Sequence, residues 1–520
     1  MELILVNKKS SQNVGAVIEI ASNAIRMNVS QNKKGEISVL EELEYPINLG
    51  HDVFNGGKIS FENLRTLSEI LEKFTAVMDT YGAGKRMAVS GSVMREAENR
   101  AFVTDQIKIQ NKLTVEILEE NAEKSLLYFD ILDREAMRGK TGNSLIAYIG
   151  SGSIGMAVYD GKNIVHTQNI PMGSLKMYDI LNELRRDSED FYMVIEEYLD
   201  TMIRPLGLSD FQIDELFLTG PEVSLITKLT GAEENGYCRT IGTSALLRLY
   251  ENIRGMTAEN IASDYGIAER EAVVLFHSIF IYVKTLSFCK KIKKVSFAQV
   301  DITKVFLRQM LVPKCVQHYH DFIRESTVTC AGMMARACEH SGSHASFVGD
   351  HACLIFDRLK KIHGLDAASK TILRAASILY NCRPFPAMRH SFESTFNMIS
   401  GADIFGLTRN ETTVCALLAA SVKNPKGLEE SLHFHSLSSG GQIYVSKLAA
   451  IFKLAAALDK SEKQKLKSIK ITLAENKLTI RANTALYPAL ERWAFDQSSE
   501  FFQSVFGIYS ELIVKSQFLS

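Results

Sequence analysis

The segment Leu145-Ile146-Ala147-Tyr148-Ile149-Gly150-Ser151-Gly152-Ser153-Ile154-Gly155 joins an apolar run to a turn made of glycine and serine. Such a turn is thin enough for backbone N–H groups to close on an anion, which is the chemistry of phosphate recognition. A loop of this shape that also hydrolyses phosphate carries carboxylates to hold a metal ion or a water. Here the flanking positions are Tyr148 and Gly155. The loop reads as built for phosphate and stripped for chemistry; the bland alternative is an ordinary turn. Two lysine clusters, Lys290-Lys291-Lys293-Lys294 and Lys460-Lys463-Lys465-Lys467, would suit a track for a polyanion, although solvated helix faces give such runs as well. His433 and His435 stand in the polar stretch "HFHSLSSGG", which reads as a loop with nothing around it to complete a site.

The elements that must position the turn can be read on either side of it. "GAVIEIASNAIRMNVS" (15–30) reads as a strand, a tight polar turn at Ser22-Asn23, and a second strand. "SFENLRTLSEILEKFTAVMDTYG" (60–82) has helical spacing, with Ser60 as N-cap. "KRMAVSGSVMREAENRAFVTDQIKIQ" gives a strand, a Gly-Ser turn and a helix, and "LTVEILEENAEKSLLYFDILDREAM" a strand and a helix. The segment from Asn143 then repeats the opening theme of strand, glycine turn, strand, strand. Two similar β-rich openings, each followed by helices, predict a duplicated α/β unit with a cleft between its halves. From about residue 300 the pattern is almost continuously helical, broken at Pro313 and around "NCRPFP". "LKSIKITLAENKLTIRAN" (466–483) predicts a hairpin turning at Glu475-Asn476, followed by a helix-rich end.

A chain of 520 residues, 46% hydrophobic and 23% charged, is an ordinary globular composition too long for one core. The formal net charge of −1 provides no global field for nucleic acid or an anionic membrane. The eight cysteines include no CxxC pair, which predicts inert thiols in a reduced, cytoplasmic compartment. "AVVLFHSIFIYVKTLSF" (272–288) is the most apolar segment, but His277 and Lys284 interrupt it, and it reads as a buried helix and not an anchor. "MELILVNKKSSQNVG" has too short an apolar stretch for a signal peptide.

Taken in order, these segments resemble the Ppx/GppA phosphatase family of exopolyphosphatases and guanosine pentaphosphate phosphohydrolases. The family opening D-x-G-S-N-S-x-R-L is matched by Glu19-Ile20-Ala21-Ser22-Asn23-Ala24-Ile25-Arg26-Met27. "LGHDVFNGGKISFE" (49–62), Gly91-Ser92-Val93-Met94-Arg95-Glu96-Ala97-Glu98-Asn99 and "IPMGSLKMYD" (170–179) are similar to further family segments. "HASFVGDHACLIFDRL" (344–359), "LRAASILYNC" (373–382) and "KLAAIFKLAAALDKS" (447–461) resemble its later domains. The resemblance implies an actin-like (ribonuclease H-like) duplicated α/β core, then an all-α HD-like domain and a small α+β C-terminal domain. The boundaries expected are 1–138, 139–312, 313–462 and 463–520. It further implies phosphate binding by Ser22, Asn23, Arg95, Gly150, Ser151, Gly152 and Ser153. Arg95 suits this role because a guanidinium binds phosphate through two N–H groups.

In the family, glycine loops cradle phosphate, Mg²⁺ neutralises charge and a glutamate orients water. Against its D-I-G-G-G-S-T-E loop, Tyr148 and Gly155 replace both carboxylates. Against its N-E-E-A segment stands Asn121-Ala122-Glu123-Lys124, which puts Glu123 at the catalytic position, and Glu19 replaces the first-loop aspartate. The T-G-G-T turn is Thr219-Gly220-Pro221-Glu222, where Pro221 lacks an amide donor and Glu222 adds a carboxylate. In the HD-like region His344 and His390 match, but Tyr380-Asn381 replaces the His-Asp pair and Val422-Lys423-Asn424 replaces Y-H-R, so no metal ligand set is expected.

Two functions stay open on these residues. One is a divergent hydrolase of terminal phosphoanhydride bonds in polyphosphate or guanosine pentaphosphate, with Glu123 placing water and Glu19 helping to hold Mg²⁺. The other is a member that binds polyphosphate or a guanosine penta- or tetraphosphate as a sensor, its chemistry lost. The resemblance also implies a homodimer, and neither nucleic acid nor membrane is an expected partner.

Overall fold

Strand β1 (Val14–Ile20) is apolar on both faces and almost wholly buried, the pattern of a strand covered on both sides. A computed structural model describes residues 13–134, 142–181, 191–203, 208–235, 237–289, 291–338, 342–382, 391–424 and 426–516. It divides into two compact units, 1–323 and 324–520.

In the first unit β1 pairs antiparallel with β2 (Ala24–Lys33), and β2 with β3 (Glu36–Pro46). On its other side β1 runs parallel to β4 (Lys85–Ser90), and β4 to β5 (Val115–Ile117). The edge strand β3 is rich in exposed glutamate, which blunts an edge against further pairing. The helices between these strands are α1 (Leu49–Gly56), α2 (Phe61–Thr80), α3 (Ser92–Glu96) and α4 (Arg100–Asn111), with α5 (Glu120–Arg134) closing the half. Ser60 caps α2 as predicted, its hydroxyl accepting from Asn63 N at 3.3 Å. The single helix predicted after the Gly91-Ser92 turn is two, α3 and α4, separated at Ala97, which adopts an extended conformation.

The second half begins again with β6 (Asn143–Ile149), β7 (Ile154–Tyr159) and β8 (Ile164–Ile170), followed by helix α6 (Ser174–Leu181) and strand β9 (Ile213–Thr219). Strands β10 (Glu233–Asn235), β11 (Cys238–Gly242) and β12 (Lys294–Ala298) complete the sheet. Its order is β10-β11-β12-β9-β6-β7-β8. Read from the far edge, β8-β7-β6-β9-β12 repeats β3-β2-β1-β4-β5, with antiparallel pairs first and parallel pairs after. The duplicated α/β core predicted from the two similar openings is therefore present in the strand order itself. The apolar segment at 272–288 lies within the helix Glu269–Leu286, most of whose apolar residues are buried, and no described helix is long and apolar enough to cross a membrane.

In the second unit, helices including Gly342–Arg358, Ala367–Leu379, Arg409–Lys423 and Ser439–Ala457 surround a continuous apolar core. That core extends onto a three-stranded sheet of β13 (Lys467–Ala474), β14 (Lys477–Thr484) and β15 (Tyr509–Ser516). The predicted hairpin is β13–β14, with Glu475 at φ 49° in its turn. The end of the chain is not only helical: after the helix Ala489–Phe506, β15 returns parallel to β14, since a parallel pair needs such a crossover. The polar loop expected at His433 and His435 is a one-turn helix, Leu432–His435, with the His433 ring stacked on Phe396 and His435 Nε2 2.6 Å from Glu429 O.

Candidate functional site

Each half of the first unit places a turn after its first strand, and both turns are fixed in the same way. Ala21 N donates to Ala24 O at 3.0 Å, while the carbonyls of Ser22 and Asn23 accept from Gly50 N and Ile47 N at 2.8 and 3.1 Å. In the second turn Gly150 N donates to Ser153 O at 2.9 Å, and the carbonyls of Gly150 and Ser151 accept from Ser174 N and Lys176 N, both at 3.0 Å. Turn carbonyls thus satisfy amides at the starts of α1 and α6 that have no partner inside those helices. Among the described residues, the amides of Ser22, Asn23, Ser151 and Gly152 keep no protein acceptor. Both turns therefore carry backbone N–H groups that the protein itself does not use.

Glycine is needed where these parts meet. A β-carbon on Gly152 would lie 2.8 Å from both Cβ and Oγ of Ser92, so the second-half turn touches the start of α3 in the first half. One on Gly50 would lie 2.6 Å from Leu175 Cδ2 and 2.9 Å from Ser22 Cβ. The two turns, α1, α3 and α6 accordingly form one cluster at the junction of the halves.

Both predicted carboxylates are in this region and both are engaged. Glu123, in the first turn of α5, lies against Gly91, where a β-carbon would be 3.0 Å from each of its oxygens. Its Oε2 is 3.3 Å from Arg95 Nη1, which also donates to Leu118 O at 2.5 Å. Glu19 pairs with Arg26 at 3.2 Å, and Arg26 also pairs with Glu44 at 3.0 Å. Burial raises the pKa of Glu19 to about 7 against the opposing pull of Arg26, and burial raises Glu123 as well.

Tyr148 points between the halves. Its ring packs against a core cluster that includes Val17 and Val89 of the first sheet and Leu127 of α5, and its Oη would lie 3.0 Å from a β-carbon on Gly150. Burial, then the charges of Glu123, Glu19 and Glu222, hold the phenol protonated. Glu222, after Gly220 and Pro221, is buried and accepts from Ser278 Oγ at 3.1 Å, and burial raises it to about 7. Nearby, Tyr282 Oη donates to Thr219 O at 3.0 Å.

Four residues of this cluster were assigned no role in the site from the sequence: Ser92, Glu120, Lys124 and Asn169. Lys124, 2% exposed, sends Nζ to Glu120 Oε1 at 2.5 Å, Asn169 Oδ1 at 2.9 Å and Ile154 O at 3.1 Å. Glu120 also accepts from the Ser153 side chain. The one signal available in the sequence was a lysine where the resemblance has alanine.

Magnesium asks for oxygen ligands in octahedral array, usually one or two carboxylates with several waters. Glu19, Glu123 and Glu120 are each paired to a cation, and Glu222 is bound to Ser278. A phenol and a lysine fill the space beside the second turn. Among the described residues no group of three or more His, Cys, Asp or Glu could hold a metal ion. This donor set does not fit Mg²⁺.

Elsewhere, His344 Nδ1 is 2.7 Å from Asp459 Oδ2 in the second unit, and Tyr380 Oη bonds His344 Nε2. His390 and Lys290 lie outside the described residues. Of the remaining cluster lysines, Lys465 is held by Glu491 at 3.2 Å, whereas Lys291, Lys293, Lys294, Lys460, Lys463 and Lys467 are exposed.

The model of the Ppx/GppA phosphatase family matches residues 28–214, which include Arg95, Glu123 and the second turn but not Glu19 or Ser22-Asn23. No curated protein matches the sequence. Among solved structures, an exopolyphosphatase from Cytophaga hutchinsonii aligns with a TM-score of 0.51 at 16% identity, covering 57% of this chain and 97% of its own. The Ppx/GppA family member from Aquifex aeolicus aligns with a TM-score of 0.49 at 17% identity, covering 58% and 98%. The first of these likenesses establishes a shared fold over that part of the chain. Over residues 28–214, then, the chain is similar to the Ppx/GppA phosphatase family.

Proposed function

We propose that the first unit binds polyphosphate or a guanosine penta- or tetraphosphate between its halves, as a sensor or regulator, without turning it over. The observation that carries this reading is the contrast between the two turns and their surroundings. Four backbone amides of the turns have no protein acceptor among the described residues, while Glu19, Glu120 and Glu123 are held by cations and Glu222 by a hydroxyl. Loss of a general base costs about 10²–10⁴ in rate, and loss of one transition-state donor about 10²–10³. A site with its metal-side carboxylates replaced by Tyr148 and Gly155 has lost the groups that such turnover uses.

The second reading, hydrolysis, is favoured by one observation: Glu123 keeps its place against Gly91, and a carboxylate with a raised pKa is a better base for water. The helical part of the second unit we read as HD-like, on the buried His344–Asp459 pair.

Phosphate release and equilibrium binding, measured with long-chain polyphosphate and with guanosine pentaphosphate, separate the two readings. Binding without release, weakened in Arg95→Lys, is the expected result. Metal-dependent release that disappears in Glu123→Ala would instead establish a hydrolase.

A further inference from the structure

Two departures from the family pattern that are 31 positions apart in the sequence meet in space. Where the resemblance has alanine there is Lys124, and where it has glutamate there is Gly155. A β-carbon on Gly155 would lie 2.5 Å from Lys124 Cδ and 2.8 Å from its Cε, and closer still to Tyr128 Oη. Both Lys124 and Tyr128 are buried. The volume that a side chain at 155 would enter is therefore filled by the lysine stem, and a carboxylate has been exchanged for a cation in the same place.

The lysine is built in. Its ammonium group is held by Glu120, Asn169 and the carbonyl of Ile154, the residue that follows the second turn. Glu120 in turn takes the Ser153 side chain, so one network runs from the turn through the lysine to α5 and β8. A divalent ion brought to this side of the turn would meet a fixed ammonium and the Arg95 guanidinium. The carboxylates it would need are already paired to those groups.

We propose that Lys124 takes over the space and the holding role of a bound cation at the second turn, so that this cleft binds its phosphate without a divalent metal ion. Lys124 is a positioning residue in this arrangement: it fixes the Ile154 carbonyl directly and Ser153 through Glu120. The inference rests on the phosphate-binding reading, and the two fail in different ways.

The test uses the full chain with long-chain polyphosphate and with Mn²⁺ alone. Polyphosphate binding should persist in EDTA. Mn²⁺ followed by electron paramagnetic resonance should show no stoichiometric site. Lys124→Ala should weaken polyphosphate binding in EDTA by about tenfold, and Lys124→Gln, which keeps a donor, should recover most of that loss. Binding that vanishes in EDTA and returns with Mg²⁺, or one Mn²⁺ per chain that is lost in Glu123→Gln, would overturn the inference while leaving phosphate binding intact. Absence of polyphosphate binding under every condition would overturn the phosphate-binding reading itself. The wild-type EDTA and Mn²⁺ measurements decide the matter even if Lys124→Ala fails to fold.

Discussion

Replacing Gly173 by alanine would drive a methyl group into the backbone of the second turn. Its β-carbon would stand 2.5 Å from Gly152 N and closer still to Gly150 O and Ser151 C. Ordinary contacts begin near 3.4 Å, so the turn must retreat by about 1 Å. No flexible side-chain end is available to yield, because all three atoms are main chain. Overpacking that side chains can absorb costs about 1–3 kcal/mol, and this case belongs at or above the top of that range. Retreat would also break the bonds from Ser174 N to Gly150 O and from Lys176 N to Ser151 O. Gly56, at the end of α1 with nothing within 4 Å of a β-carbon, is the control in the same unit, where alanine should stabilise by up to about 0.5–1 kcal/mol. Amide hydrogen exchange over β6 and β7 reads the difference: a loss of ~3 kcal/mol speeds exchange by about 100-fold. Polyphosphate affinity should fall with it. Exchange and affinity in Gly173→Ala within threefold of wild type would refute the claim that this glycine sets the turn.

Burial holds Glu222 and Glu19 near pKa 7, above the ordinary 4.5, so the folded chain keeps protons that the unfolded chain releases. Their contribution to stability is therefore full below pH 4.5, declines as pH rises from 4.5 to 7 and is lost above it, and urea unfolding across pH 5–8 should show a decline that Glu222→Gln reduces. The same ionisation puts negative charge beside the turns, so polyphosphate should bind more weakly at pH 8 than at pH 6, and a pH-independent affinity would contradict the placement of these carboxylates. In the second unit Asp459→Ala would strip His344 Nδ1 and both bonds from Gln464 of their acceptor, at a cost of about 3 kcal/mol measured by thermal unfolding, because the site is fully buried. Gly155→Ala should destabilise the wild type but less so a Lys124→Ala background, since removing the lysine stem clears part of the contact, and equal costs in a double-mutant cycle would show that the two positions are independent.

What the sequence made legible follows from where the information lay. The turns at Ser22-Asn23 and Gly150–Ser153, the Ser60 cap and the hairpin at Glu475 are signalled by residues within a few positions of one another, and the duplicated core by two local patterns recurring in order. Strand β15 was hidden because its pairing to β14 crosses an 18-residue helix, and the break between α3 and α4 because nothing local marks Ala97 as extended. Tyr148 is a sharper case. Strand alternation puts its side chain on one face of β6, but only the pairing of β6 between β7 and β9, with β1 and β4 in the other half, makes that face the junction. The exchange between positions 124 and 155 was visible as two separate losses of pattern. Read singly, each is a departure from the family pattern, and together they account for one volume, which the Lys124 stem fills beside Gly155. The pair is what the phosphate-binding reading proposed above expects, since a turn retained for binding places a demand on the residue that fills the space beside it, and Lys124 meets that demand by packing on Gly155 and holding the Ile154 carbonyl.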